Sequence, residues 1–303
     1  MKNTWKIVVP VLLLFSLILP DLLVWHAGGA AAAARTLMWS VVNTPSENIS
    51  AVIVSPSEIN ALALGSDGLT FYCCDTADNQ TYKSLDGGVK WTWDINTTLR
   101  AAGAAFPIWD IIVAPDDPNF VLAVDSLFGP PGWGGPKRIF FSGDGGANWQ
   151  NTGFPAIGVN EYISCLDISK KYGSGGAFHD IAVGTRGDTV GRIRTIQYSS
   201  SSMGSWATQL PITDNITALK FSPSYDTDAT IAVVSCNITT SLHLGKHDPV
   251  ANTTSWDAAG GYAGYPVTVA PYVSTNIINS DLELPSDFSG NTATEIASFV
   301  SVL

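Results

Sequence analysis

The chain has 303 residues, a formal charge of −11 and a pI near 4.6, with 14% charged residues, 10 Trp, 28 Gly and 17 Pro. A low-charge chain rich in turn formers and aromatics points to many short strands joined by tight turns. With no basic stripe, a phosphate backbone would be repelled, which excludes nucleic-acid binding.

In chain order, Lys2 and Lys6 precede an apolar run from Ile7 to Leu19, and an Ala-rich stretch follows from Ala27 to Ala34. That order predicts an export signal over residues 1–34, cut after Ala34. The rival is an uncleaved anchor from Ile7 to Trp25, which Pro20 and Asp21 interrupt. Either way the remainder is placed outside the cytoplasm, touching a membrane only through this segment.

Residues 35–303 read as one repeat domain. Ser84–Trp91 (SLDGGVKW) and Ser142–Trp149 (SGDGGANW) share Ser-x-Asp-Gly-Gly-x-x-Trp, 58 residues apart. Asp-Gly-Gly supplies the positive φ angles of a tight turn. Ser84, Asp86, Ser142 and Asp144 can accept from or donate to that turn's own atoms. Gly87, Gly88, Gly145 and Gly146 bend it, and Trp91 and Trp149 pack where the hairpin meets its neighbour. Folding alone explains the five fixed residues, so neither Asp is assigned a catalytic role. The step decays to Ser199–Trp206 in a third unit, and Trp256 marks a fourth.

Upstream of the boxes lie Val52–Ser66 and Ile111–Asp125, each reading as apolar strand, Pro-containing turn, apolar strand. The pattern returns at Ile163–Thr185 without the Pro, at Ala218–Ser235, and at Ser280–Ser301. Each unit thus predicts strands A, B, C, box turn, D: a four-stranded antiparallel propeller blade. The expected fold is an all-β propeller of about four and a half blades behind an N-terminal apolar helix. The strand after Trp39 is expected to complete the last blade. The chain stops at Leu303 where a fifth strand B would end, so the domain is expected to be incomplete there and the natural protein longer.

On these motifs the chain resembles the Asp-box, or BNR-repeat, propellers from Trp39 onward. That superfamily includes sialidases, xyloglucan-type glycosidases, sortilin-like receptors and photosystem-assembly-factor-like proteins. The resemblance implies the architecture and almost nothing about activity. It places ligands on the face carrying the B–C and D–A connections, opposite the boxes.

On that face Leu127–Ile139 (LFGPPGWGGPKRI) presents Trp133 on a stiff loop ahead of Lys137 and Arg138, groups suited to stacking on a sugar and bonding its hydroxyls. Arg186, Arg192 and Arg194 lie in Gly184–Arg194, half of the six arginines, and would suit an acidic ligand. Arg186-Gly187-Asp188 is too short a match to carry adhesion. No Arg-Ile-Pro of a sialidase occurs, and no paired Asp of a xyloglucanase can be placed by motif, so no catalytic residue is assigned.

No metal site is expected: His243 and His247 are four apart, a step that aligns ligands only on a helix, and Gly245 and Pro249 oppose one. No cofactor is expected beyond weak structural calcium at Asp116/Asp117 or Asp226/Asp228, whose ordinary role is turn capping. Cys73, Cys74, Cys165 and Cys236 read as small apolar strand residues. Six sequons begin at Asn48, Asn79, Asn96, Asn215, Asn237 and Asn252. The expected function is an extracytoplasmic, non-catalytic binding or structural propeller with a glycan or protein ligand. The alternatives are a secreted glycoside hydrolase and an assembly or sorting factor for membrane proteins.

Overall fold

The computed structural model describes residues 57–92, 94–125, 138–158, 160–188, 190–199, 202–237, 239–270, 280–292 and 299–302. Residues 1–34, read as an export signal, the strand expected after Trp39 and the residues Trp133 and Lys137 lie outside them. No helix among the described residues is long and apolar enough to cross a membrane.

These residues form five antiparallel sheets in sequence. The first holds β1 (Ile59–Leu64), β2 (Phe71–Asp75) and β3 (Gln80–Ser84), with Thr92 bridging back to Lys83. Helix α1 (Asp94–Ala101) leads to the second sheet, β4 (Ile108–Ala114), β5 (Asp117–Asp125), β6 (Arg138–Ser142) and β7 (Gln150–Asn151). The third holds β8 (Tyr162–Ile168), β9 (Phe178–Arg186) and β10 (Ile193–Ser199), whose far edge takes β11 (Ser202–Met203) and β12 (Ala207–Thr208). In the fourth, β13 (Asn215–Phe221), β14 (Thr230–Cys236) and β15 (Thr240–Asp248) are followed by β16 (Thr253–Trp256) and β17 (Val267–Ala270), both on β15. Finally β18 (Ser280–Glu283) pairs with β19 (Phe299–Val302).

Two sequence expectations are corrected. Val52–Ser66 is expected to supply strands A and B of the first unit, and Val52–Pro56 lies outside the described residues. Among the described residues Ile59–Leu64 leads its sheet and Phe71–Asp75 follows; the turn between them is built on Asp67, which accepts from Leu69 N and Thr70 N at 3.0 and 2.8 Å. The alternation in NALALG suits either strand, and a Pro-turn analogy pulled the register one strand out. Helix α1 was not anticipated. Its signals are short: Asp94 in the first turn, Ile95 and Leu99 one turn apart and both buried, and Gly103 just beyond at φ 89°.

Between sheets the core is aliphatic and aromatic. Tyr72 and Cys74 of β2 meet Ile111, Val121, Ala123 and Phe140 of the second sheet. Phe120, Leu122, Val124, Ile139 and Phe141 on its other side meet Ile163, Leu166, Ile181, Val183 and Ile196 of the third. The same pattern continues into the fourth and fifth sheets. All four cysteines are strand residues with free thiols, and Cys73, Cys74 and Cys236 are buried.

A further repeat is visible only in the ladders. Every first strand of sheets one to four slips register at one residue after an isoleucine: Ile59/Ala61, Ile108/Asp110, Ile163/Cys165 and Ile216/Ala218. The bulged residues are Asn60, Trp109, Ser164 and Thr217. Three use their side chains to reach the next sheet. Asn60 Nδ2 donates to Trp109 O, Ser164 Oγ lies 2.5 Å from Ile216 O, and Ser280 Oγ donates to Thr217 Oγ1 at 2.6 Å. A bulge twists the strand and frees one residue from its ladder, which is what such a cross-sheet bond requires.

Ser164→Ala should therefore cost about 1–3 kcal/mol, because the Ile216 carbonyl loses its partner between sheets. The urea midpoint should fall with an unchanged slope. Ser199→Ala, which removes only the exposed local contacts to Ser202, should move it by less than about 0.5 kcal/mol.

Candidate functional site

The two box turns are the same structure twice. Ser84 Oγ donates to Asp86 Oδ1 at 2.9 Å and accepts from Gly88 N at 2.9 Å; Lys90 N donates to Asp86 Oδ1 at 2.8 Å. Ser142, Asp144, Gly146 and Asn148 repeat these bonds at 2.8, 2.8 and 2.9 Å. Trp91 Nε1 and Trp149 Nε1 donate back to Gly88 O and Gly146 O at 2.9 and 3.1 Å. Gly87, Gly88, Gly145 and Gly146 have φ of 73°, 87°, 70° and 93°, a region closed to most side chains. Each box is also tied to its own sheet's first turn, Gly87 N to Leu69 O and Gly145 N to Asn119 O, both 2.9 Å. Both Asp carboxylates are held below their ordinary range with their oxygens in these bonds.

The decayed units differ. Trp206 Nε1 donates to Thr152 O of the preceding sheet at 3.0 Å and its ring meets Phe154 edge-on. Trp256 ends β16 and lies over Gly245, where an added Cβ would meet its ring at 2.6 Å.

Arg138, Arg186, Arg192 and Arg194 stand at or next to the strand ends flanking the B–C connections, and each is engaged. Arg138 opposes Asp125 in register, and its NH2 bonds Asp125 Oδ2 at 2.5 Å and Gly103 O at 3.1 Å. Arg192 NH1 bonds Glu161 Oε2 at 2.5 Å. Arg194, on β10, lies buried over the Phe154 ring with NH1 3.9 Å from Glu161 Oε1. Arg186 lies over the Tyr162 ring at 5.4 Å. Glu161 also accepts from Thr185 Oγ1 at 2.6 Å, and these donors and the guanidinium hold it below its ordinary range despite burial. The face has a common construction, in which a carboxylate ties a B–C connection to a D–A connection. Asp125 accepts from Ala105 N, Glu161 joins Gly158 to Arg192, Asp214 accepts from Asn237, and Asp75 accepts from Glu58 N.

On the opposite face the first acidic pair is committed and the second is divided. Asp116 and Asp117 both take Lys171, at 2.8 Å through its backbone N and 2.9 Å through Nζ. Asp228 is buried and accepts from Ser222, Thr230 N and Gly290 N, whereas Asp226 is exposed, so that pair does not converge. No group of three or more potential metal ligands gathers among the described residues. Of the sequons, Asn79 and Asn237 are exposed at B–C turns, whereas Asn96 is buried on Thr81 N.

Sequence reasoning missed two buried polar centres. In the fourth sheet Ser235 Oγ lies 3.0 Å from His243 Nε2, and His243 Nδ1 lies 2.9 Å from Asp257 Oδ2. This is the arrangement of a nucleophile, base and orienting acid. Ser235 is, however, fully buried within its sheet, and Asp257 also receives Leu244 N at 3.3 Å. The array fastens β14, β15 and the turn after β16. Between the third and fourth sheets Asp180 receives Tyr172 OH at 2.8 Å and Tyr225 OH at 2.5 Å, with His247 Nε2 3.8 Å away. Burial pushes Asp180 up to about 6 and pulls His247 down to about 4. The two His stand on one strand, not a helix. No short-range pattern marks Ser235 or Asp180, whose partners lie 8 to 45 residues away.

No family model matches the chain, and no curated protein matches it. Among solved structures it is similar to the Dos1 propeller, with 14% identity, a TM-score of 0.44, and coverage of 65% of this chain and 46% of that one. It is similar to the GH74 xyloglucanase of Xanthomonas campestris at 14% identity and TM-score 0.41, covering 64% and 29%. For YCF48 bound to a D1 peptide the values are 12% and 0.27, covering 73% and 75%. The chain thus spans less than half the length of the first two, and likenesses of this size say nothing of activity.

Two predictions follow from these centres. Gly87→Ala and Gly145→Ala impose the same left-handed strain, but a Cβ at 145 would also stand 2.7 Å from Lys83 Nζ and 2.9 Å from Asn119 Oδ1, whereas 87 meets nothing nearer than 3.9 Å. Both atoms are ends of flexible side chains that can move aside, so Gly145→Ala should cost more than Gly87→Ala in urea denaturation by no more than about 1 kcal/mol. Asp180, raised in the fold, adds stability that is lost as pH climbs through about 6; His247, lowered in the fold, adds stability that is lost as pH falls from its ordinary 6.5 through about 4. The two slopes oppose each other between pH 4 and 6. Asp180→Asn should leave the His247 slope alone, so its urea midpoint should fall more steeply on acidification from pH 6.5 to 4 than that of the unmodified chain.

Proposed function

We propose that the chain is an exported, non-catalytic β-propeller of Asp-box repeats, acting outside the cytoplasm as a binding or structural module. Four-stranded up-and-down sheets repeated in sequence, each packed on the next, are how propeller blades are assembled. The duplicated box network supports the Asp-box reading, and the order of charged, apolar and small residues over 1–34 supports export.

The observation that carries the non-catalytic reading is the state of the loop-face charges. A glycosidase needs one carboxylic acid and one carboxylate on either side of an open sugar site. Asp75, Asp125, Glu161 and Asp214 instead hold connections of their own sheets together. Ser235, the one side chain set up as a nucleophile by a His–Asp pair among the described residues, has no surface exposed. The ligand is a glycan or a protein; the sequence between β5 and β6 carries Trp133 and Lys137 ahead of Arg138, an aromatic ring and cations of the kind such ligands take.

The test is a panel of aryl and oligosaccharide glycosides, neutral and acidic, incubated with the purified chain beside a glycan array and a pull-down from the cell envelope. No turnover above the protein-free control, with retention of one glycan class or one protein, is expected. Turnover abolished by a single carboxylate substitution would replace this reading with a secreted glycoside hydrolase. Stoichiometric recovery of a membrane-protein precursor would favour an assembly factor.

A further inference from the structure

Five of the six sequon asparagines lie among the described residues, and the fold treats them in two ways. Three are built into the sheets. Asn96 is 5% exposed, with Oδ1 accepting from Thr81 N at 2.9 Å and Nδ2 donating to Gln80 Oε1. Asn252 accepts from Thr195 Oγ1 at 2.6 Å and donates through Nδ2 to Ser205 O at 2.9 Å, which joins the fourth sheet to the third. Asn215 begins β13, is half-buried, and accepts from Gly187 N at 2.8 Å. A sugar on the first two amides would displace a bond of the fold, and on the third it would enter a half-buried strand end.

Asn79 and Asn237 differ. Asn79 ends the turn from β2 to β3 at φ 55°, is exposed, and its side chain makes no hydrogen bond among the described residues. Asn237 follows β14, is exposed, and gives one Nδ2 hydrogen to Asp214 Oδ1 at 3.2 Å. A side-chain amide has two such hydrogens, so one remains. The threonine of the first sequon is a second observation. Thr81 is fully buried, and its Oγ1 has no hydrogen-bond partner beyond a contact with the Cys74 thiol. A valine would fill that strand position without burying a hydroxyl. Packing does not call for threonine at 81, whereas the Asn-x-Thr acceptor pattern does.

We propose that Asn79 and Asn237 carry N-linked glycans, an inference that rests on the export reading above. In the transfer, one Nδ2–H of the amide is replaced by a bond to C1 of a sugar delivered on a lipid-linked phosphate. The C1–O bond to that phosphate breaks, the phosphate leaves with the electron pair, and the amide proton passes to solvent. Because Thr81 is enclosed in the folded sheet, transfer precedes folding, and the fold then accepts only the sites it leaves outside. Both sites stand on B–C turns, residues 76–79 in the first sheet and 237–239 in the fourth. The B–C connections of the second and third sheets, residues 126–137 and 187–192, hold no sequon. Arg138, Arg186, Arg192 and Arg194 stand beside or within those two, so the glycans keep clear of the connections richest in guanidinium groups.

The test is peptide mapping by mass spectrometry on the full chain purified from the cells that make it, with Asn79→Gln, Asn237→Gln and Thr81→Val made in the same cells. Glycopeptides are expected at Asn79 and Asn237, with Asn96, Asn215 and Asn252 unmodified. Each Asn→Gln change should lower the intact mass by one glycan with an unchanged far-ultraviolet spectrum, and Thr81→Val should remove the same glycan as Asn79→Gln. A glycan on Asn96, Asn215 or Asn252 of the folded chain overturns the proposal. An unmodified Asn79 or Asn237 in chain recovered outside the cytoplasm overturns it and leaves the export reading standing. Unmodified chain recovered in the cytoplasm overturns both.

Discussion

Stacked sheets face one another through side chains, and apolar contact between them is non-directional: it rewards burial but does not say how far one sheet may slide or rotate over the next. The bond that sets this in the chain is the one made at the bulge of each first strand. Asn60, Ser164 and the Thr217–Ser280 pair reach across to the adjoining first strand, at the same level relative to the isoleucine that starts the bulge. Small polar side chains are needed there, because a ladder residue has its backbone groups occupied and a large one would hold the strands apart. Trp109, the one large residue of the set, receives its neighbour's bond through its carbonyl instead.

Given that alignment, the rest of the polar structure falls into two layers. On the face of the boxes, bonds run from one sheet to the next: Tyr72 to Pro118 O, Lys83 to Gly145 O, Lys171 to Asp116 and Asp117, Tyr225 to Asp180, and Gly290 to Asp228. On the loop face, the carboxylate ties run chiefly within one sheet, closing its B–C connection onto its own D–A connection. The first layer fixes sheets relative to one another. The second stiffens each connection separately, which leaves those loops free to differ in length from sheet to sheet, as a recognition surface requires.

What the sequence disclosed follows the range of the interactions. The box turns were legible because the bonds among their own residues join positions at most four apart, so Ser84–Trp91 and Ser142–Trp149 carry their shape in their own letters. The strand pairs from the second unit onward were legible from apolar runs around a turn. The first unit was misplaced because NALAL alternates as well as any strand, and only its ladder with Phe71–Asp75 says which strand it is. Helix α1 escaped because two large apolar residues, Ile95 and Leu99, in eight are too few to show a period. The arginines read as ligand groups because Glu161, which takes two of them, lies 31 and 33 residues upstream, and nothing local announces that the loop neutralises itself.

The same reasoning separates chemistry from architecture in the fourth sheet. Ser235, His243 and Asp257 have the distances of a hydrolytic triad, yet a nucleophile must be met by a substrate, and Ser235 is enclosed by strands on both sides and sheets above and below. A buried serine and imidazole each need a partner or incur the desolvation of an orphaned polar group. Satisfying both with one carboxylate from a residue at φ 55° is an economical fastening for a sheet whose last edge strand is split into β16 and β17. The turn from β15 to β16, where a box would stand, is closed by Asp248, which accepts from Val250 N and Ala251 N at 2.9 and 3.1 Å; the relay from Asp257 through His243 to Ser235 lies deeper in the sheet and joins β14 and β15 to the turn after β16.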